Sequence, residues 1–295
     1  MTLTITTDAF ARFERLSFVP KRPARAGLGG EHRSRRPSPS TDFVDYRPYQ
    51  PGDDFRRVDW NIYGRLGSLQ VKVTEGRERL EVLLVLDCSS SMACGVPDKL
   101  EFAARLVAAL GYIGLSRADS VRIACLTPEA EARSRFGPFA RRARMPELVR
   151  DLSRVVPAGA LELNRGLAQL IDTNPGSHNL VVVVSDLLTP RGVATSLDRL
   201  NALRADTVVL HVLSRDEADP RVSGDVELID AETSERLELG VSLETLAAYR
   251  RRFAAWLEER EAECRARGMR YVRIRTDRDL SLVVLDDLRR AGVVR

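Results

Sequence analysis

No part of the 295-residue chain supplies the roughly 18 consecutive uncharged apolar residues that a membrane-spanning helix needs; the longest candidates are LVAALGYIGLS and LVVVVS. Cysteine is scarce. The four present (Cys88, Cys94, Cys125 and Cys264) form no CxxC pair and have no histidine at metal-ligand spacing, which excludes a disulfide framework and favours a reducing compartment. Cys125 sits in an apolar run and reads as a buried thiol. Histidine is scarcer still, at His32, His178 and His211, and each reads as structural or solvated. No GxxxxGK[ST] loop and no GxSxG elbow occurs, and Gly27-Leu28-Gly29-Gly30 lacks a strand before it and a helix after it. The opening MTLTITTDAFARFERL has no apolar signal-peptide core. The expectation is a soluble, cytoplasmic protein.

What the chain does contain is a 44% apolar fraction, enough for a real core, and 30% charged residues. The net charge is only +4 despite a pI near 9.0, because Arg-rich and Glu-rich segments cancel; such a balance does not point to nucleic acid. Basic residues do cluster twice: Lys21, Arg22, Arg25, Arg33, Arg35 and Arg36 against Glu31 alone, then Arg133, Arg135, Arg141, Arg142 and Arg144. A solvated charge run is the plainer reading, and a nucleic-acid or anionic-surface contact is the alternative. Binding that falls steeply with salt and survives chelation would mark the alternative.

Three regions follow from pattern. Residues 1–40 form an N-terminal arm, partly flexible, with a short helix within Asp8 to Phe18 and then an aperiodic stretch rich in Pro, Gly, Ser and Arg. Residues 41–80 hold six of the seventeen Phe, Trp and Tyr and read as a segment packed on the sheet. Pro51-Gly52 makes a turn there, Asp53 or Asp54 caps a helical turn, and Asp-Arg pairs brace it; Asp53, Asp54, Arg56, Asp59 and Trp60 are candidate partner-binding or structural residues. From residue 81 to 295, near-continuous apolar strands (EVLLVL, SVRIACL, NLVVVVSD, DTVVLHVLS, RYVRIRT) alternate with helical patterns. DVELID and ERLELG read as a hairpin. Ser242 caps a long helix with Leu243, Leu246, Phe253 and Leu257 turned inward, and a helix from Asp279 to Arg290 closes the chain. The fold class is α/β, a doubly wound and mostly parallel sheet.

In such sheets ligands bind beyond the carboxyl ends of the strands. The run EVLLVL stops at Asp87, and Ser89 and Ser91 follow at once; Asp186 ends the other fully apolar strand. Two carboxylates and two hydroxyls converging from strand ends suit a hard cation, Mg²⁺ with Mn²⁺ or Ca²⁺ as substitutes, with the serines as direct ligands and the aspartates holding water and balancing charge. A Mg²⁺-dependent hydrolase ranks last, because nothing supplies a base or a second metal cluster.

These residues resemble the von Willebrand factor A-type domain, whose metal-ion-dependent adhesion site opens with Asp-x-Ser-x-Ser. More specifically, YRPYQPGDDFRRVDW, then LQVKV, then the strand ending in DCSSSM resemble the domain-of-unknown-function 58 family, from about Gly27 to the C-terminus. The resemblance implies a metal site of Asp87, Ser89, Ser91 and Asp186, and a non-catalytic protein-interaction module acting with a MoxR-type AAA+ ATPase on a client protein. It also implies a departure. The family's loop threonine is replaced by Ala160, leaving water or Glu162 to supply that ligand and weakening the ion's hold.

Overall fold

The computed structural model describes residues 7–21, 41–76, 79–127, 135–159, 163–172, 178–189 and 192–295. The basic residues Arg22 to Arg36, His32, Arg133, Ala160 and Glu162 therefore lie outside the described residues. The chain divides into two compact units, residues 26–79 and the remainder.

In the smaller unit, β1 (Thr41–Pro48) pairs antiparallel with β2 (Gln70–Gly76). The residues between them are organised by aspartates. Asp53 takes a two-pronged ion pair from Arg47 (2.7 and 2.5 Å) and the Gln50 N–H. Asp54 caps a 3₁₀ turn by accepting the Arg56 N–H. Asp59 caps α2 (Trp60–Leu66), accepting from the Asn61 and Ile62 N–H groups and from the Tyr46 hydroxyl. Gly67, with φ of +67°, ends that helix in the left-handed conformation a side chain resists. Helix α2 turns Trp60, Tyr63 and Leu66 to solvent. Asp59→Ala is expected to cost about 1–2 kcal/mol, the value of an N-cap, read as faster amide exchange at Asn61 and Ile62.

The larger unit is mixed α/β. Its strands are β3 (Glu81–Asp87), β4 (Ser120–Leu126), β5 (Arg135–Phe139), β6 (Leu180–Ser185), β7 (Asp206–Leu213) and β10 (Arg270–Arg275). They form one sheet in the order β10-β7-β6-β3-β4-β5, parallel except for β5, which runs antiparallel at one edge. Because β3 and β6 are buried on both faces, neither alternates polar with apolar residues. Val82, Leu84 and Leu86 pack into one core with α1 (Thr7–Phe13), α3 (Lys99–Ser116) and α4 (Met145–Ser153). Leu83 and Val85 pack into another with α5 (Leu163–Asp172), α6 (Ala194–Ala202) and the long α8 (Leu243–Ala266). A short α7 (Arg215–Ala218) and the hairpin of β8 (Gly224–Ile229) and β9 (Arg236–Val241) separate β7 from α8. Helix α3 is buried almost all round, and its Gly111 and Gly114 permit close approach: a Cβ would stand 2.8 Å from Leu148 and 2.7 Å from Val121.

Three expectations change here. Residues 7–19 do not belong to an arm: Phe13, Leu16 and Phe18 are buried in the core. Ser17 and Arg295 exchange backbone hydrogen bonds, the Val19 N–H donates to the Val293 carbonyl, and Arg270, ion-paired to Asp206 at 2.6 Å, donates to the Val19 carbonyl. Leu243 is 86% exposed rather than inward, since it is the first residue after the Ser242 cap and precedes the face that meets the sheet; Leu243→Gln should leave the unfolding free energy measured in urea within about 0.5 kcal/mol of the parent. The closing helix is interrupted, with Val283–Asp287 forming a π turn between two short α segments.

Candidate functional site

Strand order reverses between β3 and β6. The chain leaves β3 toward β4 and β5, then returns to build β6, β7 and β10 on the other side. Crevices for ligands open at such a reversal, past the carboxyl ends of the two strands. Asp87 is the last residue of β3, and Asp186 follows the last residue of β6. The parallel register, Leu86 beside Val184, therefore brings Asp87, Ser185 and Asp186 to one edge.

The Asp87 carboxylate accepts the Ser89 N–H at 3.0 Å on one oxygen and the Ser185 hydroxyl at 2.5 Å on the other. Ser89 Oγ and Ser91 Oγ are 2.9 Å apart, and both side chains are buried. Backbone bonds from Ser90 to the Gly159 carbonyl and from Ala158 to the Cys88 carbonyl fasten this loop to the segment just before residue 160. Asp186 accepts the Leu188 N–H at 3.1 Å, and the Leu187 N–H reaches Ser185 Oγ at 2.9 Å. Between these two bonds Leu187 is held at φ of +55°, a conformation unfavourable for leucine. Both halves of the edge are thus fixed from the backbone.

Sequence reasoning did not find the charge that faces them. Lys99, in the first turn of α3, buries its side chain completely and donates to Asp186 at 2.7 Å and to Glu217 of α7. Burial pulls this ammonium's pKa down, yet Asp186 and Glu217 together outweigh burial and leave it above the ordinary lysine value. Asp87 forms no ion pair among the described residues. Burial first, then repulsion from Asp186, push its pKa from 3.8 to about 6, against the pull of the Ser185 and Ser89 hydrogen bonds. The edge therefore holds one neutralised carboxylate and one that lacks a counter-charge.

His211 of β7 packs behind Asp186. Its Nε2 lies 2.8 Å from the Asp186 carbonyl and must carry the proton, so its Nδ1 accepts the Tyr271 hydroxyl at 2.6 Å. Burial pushes its pKa down to about 3, so the ring is neutral and both nitrogens are occupied. The buried His178 is likewise pushed down, to about 4, by burial and then Arg122. In front of the edge hangs the β8–β9 turn. A cavity of about 460 Å³ is lined by Ser91, Lys99 and Glu217 on one side and by Asp230 and Glu232 on the other. Burial raises the Glu232 pKa while hydrogen bonding to Ser91 draws it down.

Of the sequence-predicted residues, Asp87, Ser89, Ser91 and Asp186 gather at this edge. Asp53, Asp54, Arg56, Asp59 and Trp60 belong to the smaller unit. Arg142 and Arg144 of the second basic cluster are engaged internally, with Glu14 and the Tyr112 ring and with Glu147 and the Phe139 ring.

Among the described residues no three His, Cys, Asp or Glu side chains are grouped to hold a metal ion; the oxygen set at this edge is two carboxylates, Asp87 and Asp186, and three hydroxyls, Ser89, Ser91 and Ser185. That set suits a small hard cation. Neighbouring ligands of an octahedral Mg²⁺, each at about 2.0–2.1 Å, stand about 3 Å apart, close to the 2.9 Å between the serine oxygens.

A family model described as "Protein of unknown function DUF58" matches residues 45–263. Uncharacterized proteins of Mycobacterium bovis and Mycobacterium tuberculosis are each 27% identical over 274 residues, covering 91% of this chain and 85% of theirs. Among solved structures, the conserved hypothetical protein BatB from Bacteroides thetaiotaomicron aligns with 14% identity and a TM-score of 0.42, over 72% of this chain and 98% of its own. An aerotolerance-related membrane protein from Bacteroides fragilis aligns over the same shares with 16% identity and the same score. In this chain, no helix among the described residues is long and apolar enough to cross a membrane.

Proposed function

The chain belongs to the DUF58 family, and from that premise we propose that it is a non-catalytic protein-interaction module of the von Willebrand factor A type. Its strand-end oxygens would hold a divalent cation, and it would act beside a MoxR-type AAA+ ATPase on a client protein. The observation that carries this reading is the convergence of Ser89 Oγ and Ser91 Oγ between Asp87 and Asp186 at the reversal of strand order. Ser89 and Ser91 would hold the ion directly, Asp87 would balance its charge through water, and Asp186, already paired with Lys99, would orient a water of its shell. The bound ion would supply an electrophilic position for a partner's carboxylate. The occupied nitrogens and low pKa of His211 make this neutral ring unavailable as a base for the serines. The association with the ATPase rests on the family resemblance.

Thermal unfolding in Mg²⁺ and in chelator tests the ion, and capture of a MoxR-type ATPase or its client under the same two conditions tests the partnership. The expected outcome is a higher melting temperature and stronger capture with Mg²⁺, both absent in Asp87→Asn. Capture indifferent to chelator and to Asp87→Asn would overturn the reading.

A further inference from the structure

A second cavity, of about 370 Å³, adjoins the strand-end site and shares Asp186, Leu188 and Glu217 with it or its immediate wall. Its other wall is one face of α8. Tyr249, Arg252, Phe253 and Trp256 stand at the i, i+3, i+4, i+7 spacing that normally faces a core, but here the face opens on the cavity. The lining is mostly apolar, and its aromatic side chains are fixed in place. The Tyr249 and Phe253 rings stack at 5.6 Å, Phe253 meets Trp256 at 5.7 Å, and Trp256 stands edge-on to His211 at 5.0 Å. Tyr249 donates its hydroxyl to the Glu217 carbonyl at 2.7 Å, and His211 holds the Asp186 carbonyl. The cavity is thus preformed, and its wall is braced by the same residues that brace the site.

Arg252 supplies the charge. The two carboxylates in this lining, Asp186 and Glu217, are both taken by Lys99. Other arginines nearby are satisfied too: Arg250 by Asp219, Arg273 by Glu258 and Glu261. Arg252 is exposed and makes no ion pair or hydrogen bond with the described residues. A preformed apolar pocket with one unmatched cation at its rim selects a ligand that is apolar in the middle and anionic beside it.

We propose that this cavity seats a large apolar side chain, Leu, Phe or Trp, from an extended partner segment, with a neighbouring Asp or Glu paired to Arg252. The proposal rests on the reading of the strand-end edge as a protein-docking face and names the chemistry of what docks there: an acidic segment carrying an apolar anchor. The anchor enters the α8 pocket while a carboxylate of the same segment faces the Ser89–Ser91 edge.

The test uses a library of random short capped peptides panned on the full chain carrying Trp60→Phe, which leaves Trp256 as its one tryptophan. Selected peptides are then titrated by Trp256 fluorescence, with and without Mg²⁺. The expected result is enrichment of Leu, Phe or Trp beside Asp or Glu, with a shift in Trp256 emission on binding. Phe253→Ser should weaken binding about tenfold or more, as loss of a central apolar contact does. Arg252→Glu, a change at an exposed position that the fold tolerates, should weaken it similarly and turn the preference toward Lys or Arg in the flanking position. Circular dichroism of both variants checks folding.

The two readings can fail separately. Peptides that need Phe253 and Arg252 but ignore Mg²⁺ and Asp87→Asn would keep this inference and sink the cation-dependent reading. Peptides that need Mg²⁺ and Asp87 but ignore Phe253→Ser and Arg252→Glu would overturn this inference alone. Enrichment without acidic residues, no enrichment at all, or self-association that Phe253→Ser abolishes would also overturn it, the last by making a second copy the occupant.

Discussion

Lys99→Met lowers the stability of the protein at neutral pH by about 3–5 kcal/mol, the cost of leaving a buried ion pair with one partner. Methionine nearly fills the volume of the lysine stem, so the loss is electrical rather than a cavity effect. It strands Asp186, which is 1% exposed, and to a lesser degree Glu217, which reaches solvent. Urea unfolding at pH 7 measures the loss, and Lys99→Met combined with Asp186→Asn should recover most of it, because the second change removes the orphaned charge. The pH dependence carries a sign. The Lys99 pKa is raised in the folded chain above the ordinary 10.5, so its stabilisation is fully present below 10.5 and is lost as pH rises through the folded value. Lys99→Met should lack that alkaline limb. A parent and variant of equal stability at pH 7 would show that the ammonium does not hold this edge together.

Asp87→Asn has the opposite sign: in chelator at pH 7 it stabilises, by up to about 3 kcal/mol. The folded carboxyl titrates near 6 instead of 3.8, and each pH unit of displacement is worth about 1.36 kcal/mol. Because the folded chain binds this proton more tightly than the unfolded chain, stability falls as pH rises from 3.8 through about 6, and the full penalty stands at neutral pH. Asparagine removes it without breaking the local geometry. Its Oδ1 can accept the Ser89 N–H, and its Nδ2 can donate to Ser185 Oγ, whose hydroxyl has acceptor capacity to spare. The difference between parent and variant should vanish below pH 3.8, which separates Asp87 from the histidines titrating nearby. A bound cation would offset the same penalty, so Mg²⁺ should stabilise the parent and leave Asp87→Asn unchanged. Asp87→Asn less stable than the parent in chelator would contradict this account.

Much of the fold was legible because it rests on period and punctuation. The apolar runs of β3, β4, β6 and β7, the Ser242 cap and the β8–β9 hairpin all carry local signals. The loop from Asp87 to Ser91 was legible for the same reason: a core strand that ends in a carboxylate and two hydroxyls has no packing explanation. Lys99 was not legible, since an amphipathic helix start accommodates a lysine anywhere, and its partners lie 87 and 118 residues away. Ser185 was read as strand, and nothing local distinguishes Glu232 from any other acidic residue in a hairpin turn. The core role of Ala9, Phe13 and Leu16 was visible as an i, i+4, i+7 face, but the Arg- and Pro-rich stretch after it outweighed that signal.

The pairing of residues 17 and 19 with residues 293 and 295 bears on how the protein comes into being. A chain made from its N-terminus presents Phe13, Leu16 and Phe18 long before the backbone partners of Ser17 and Val19, since Ser17 and Arg295 stand 278 residues apart. That seam cannot close until residue 295 has cleared the ribosome. Helix α3 can shelter some of this surface earlier, but the seal itself joins residues far apart in sequence, and such contacts form slowly. Until residues 293 to 295 are made, the segment around residues 13 to 19 is apolar surface in need of protection, and those late residues are the ones that fasten it.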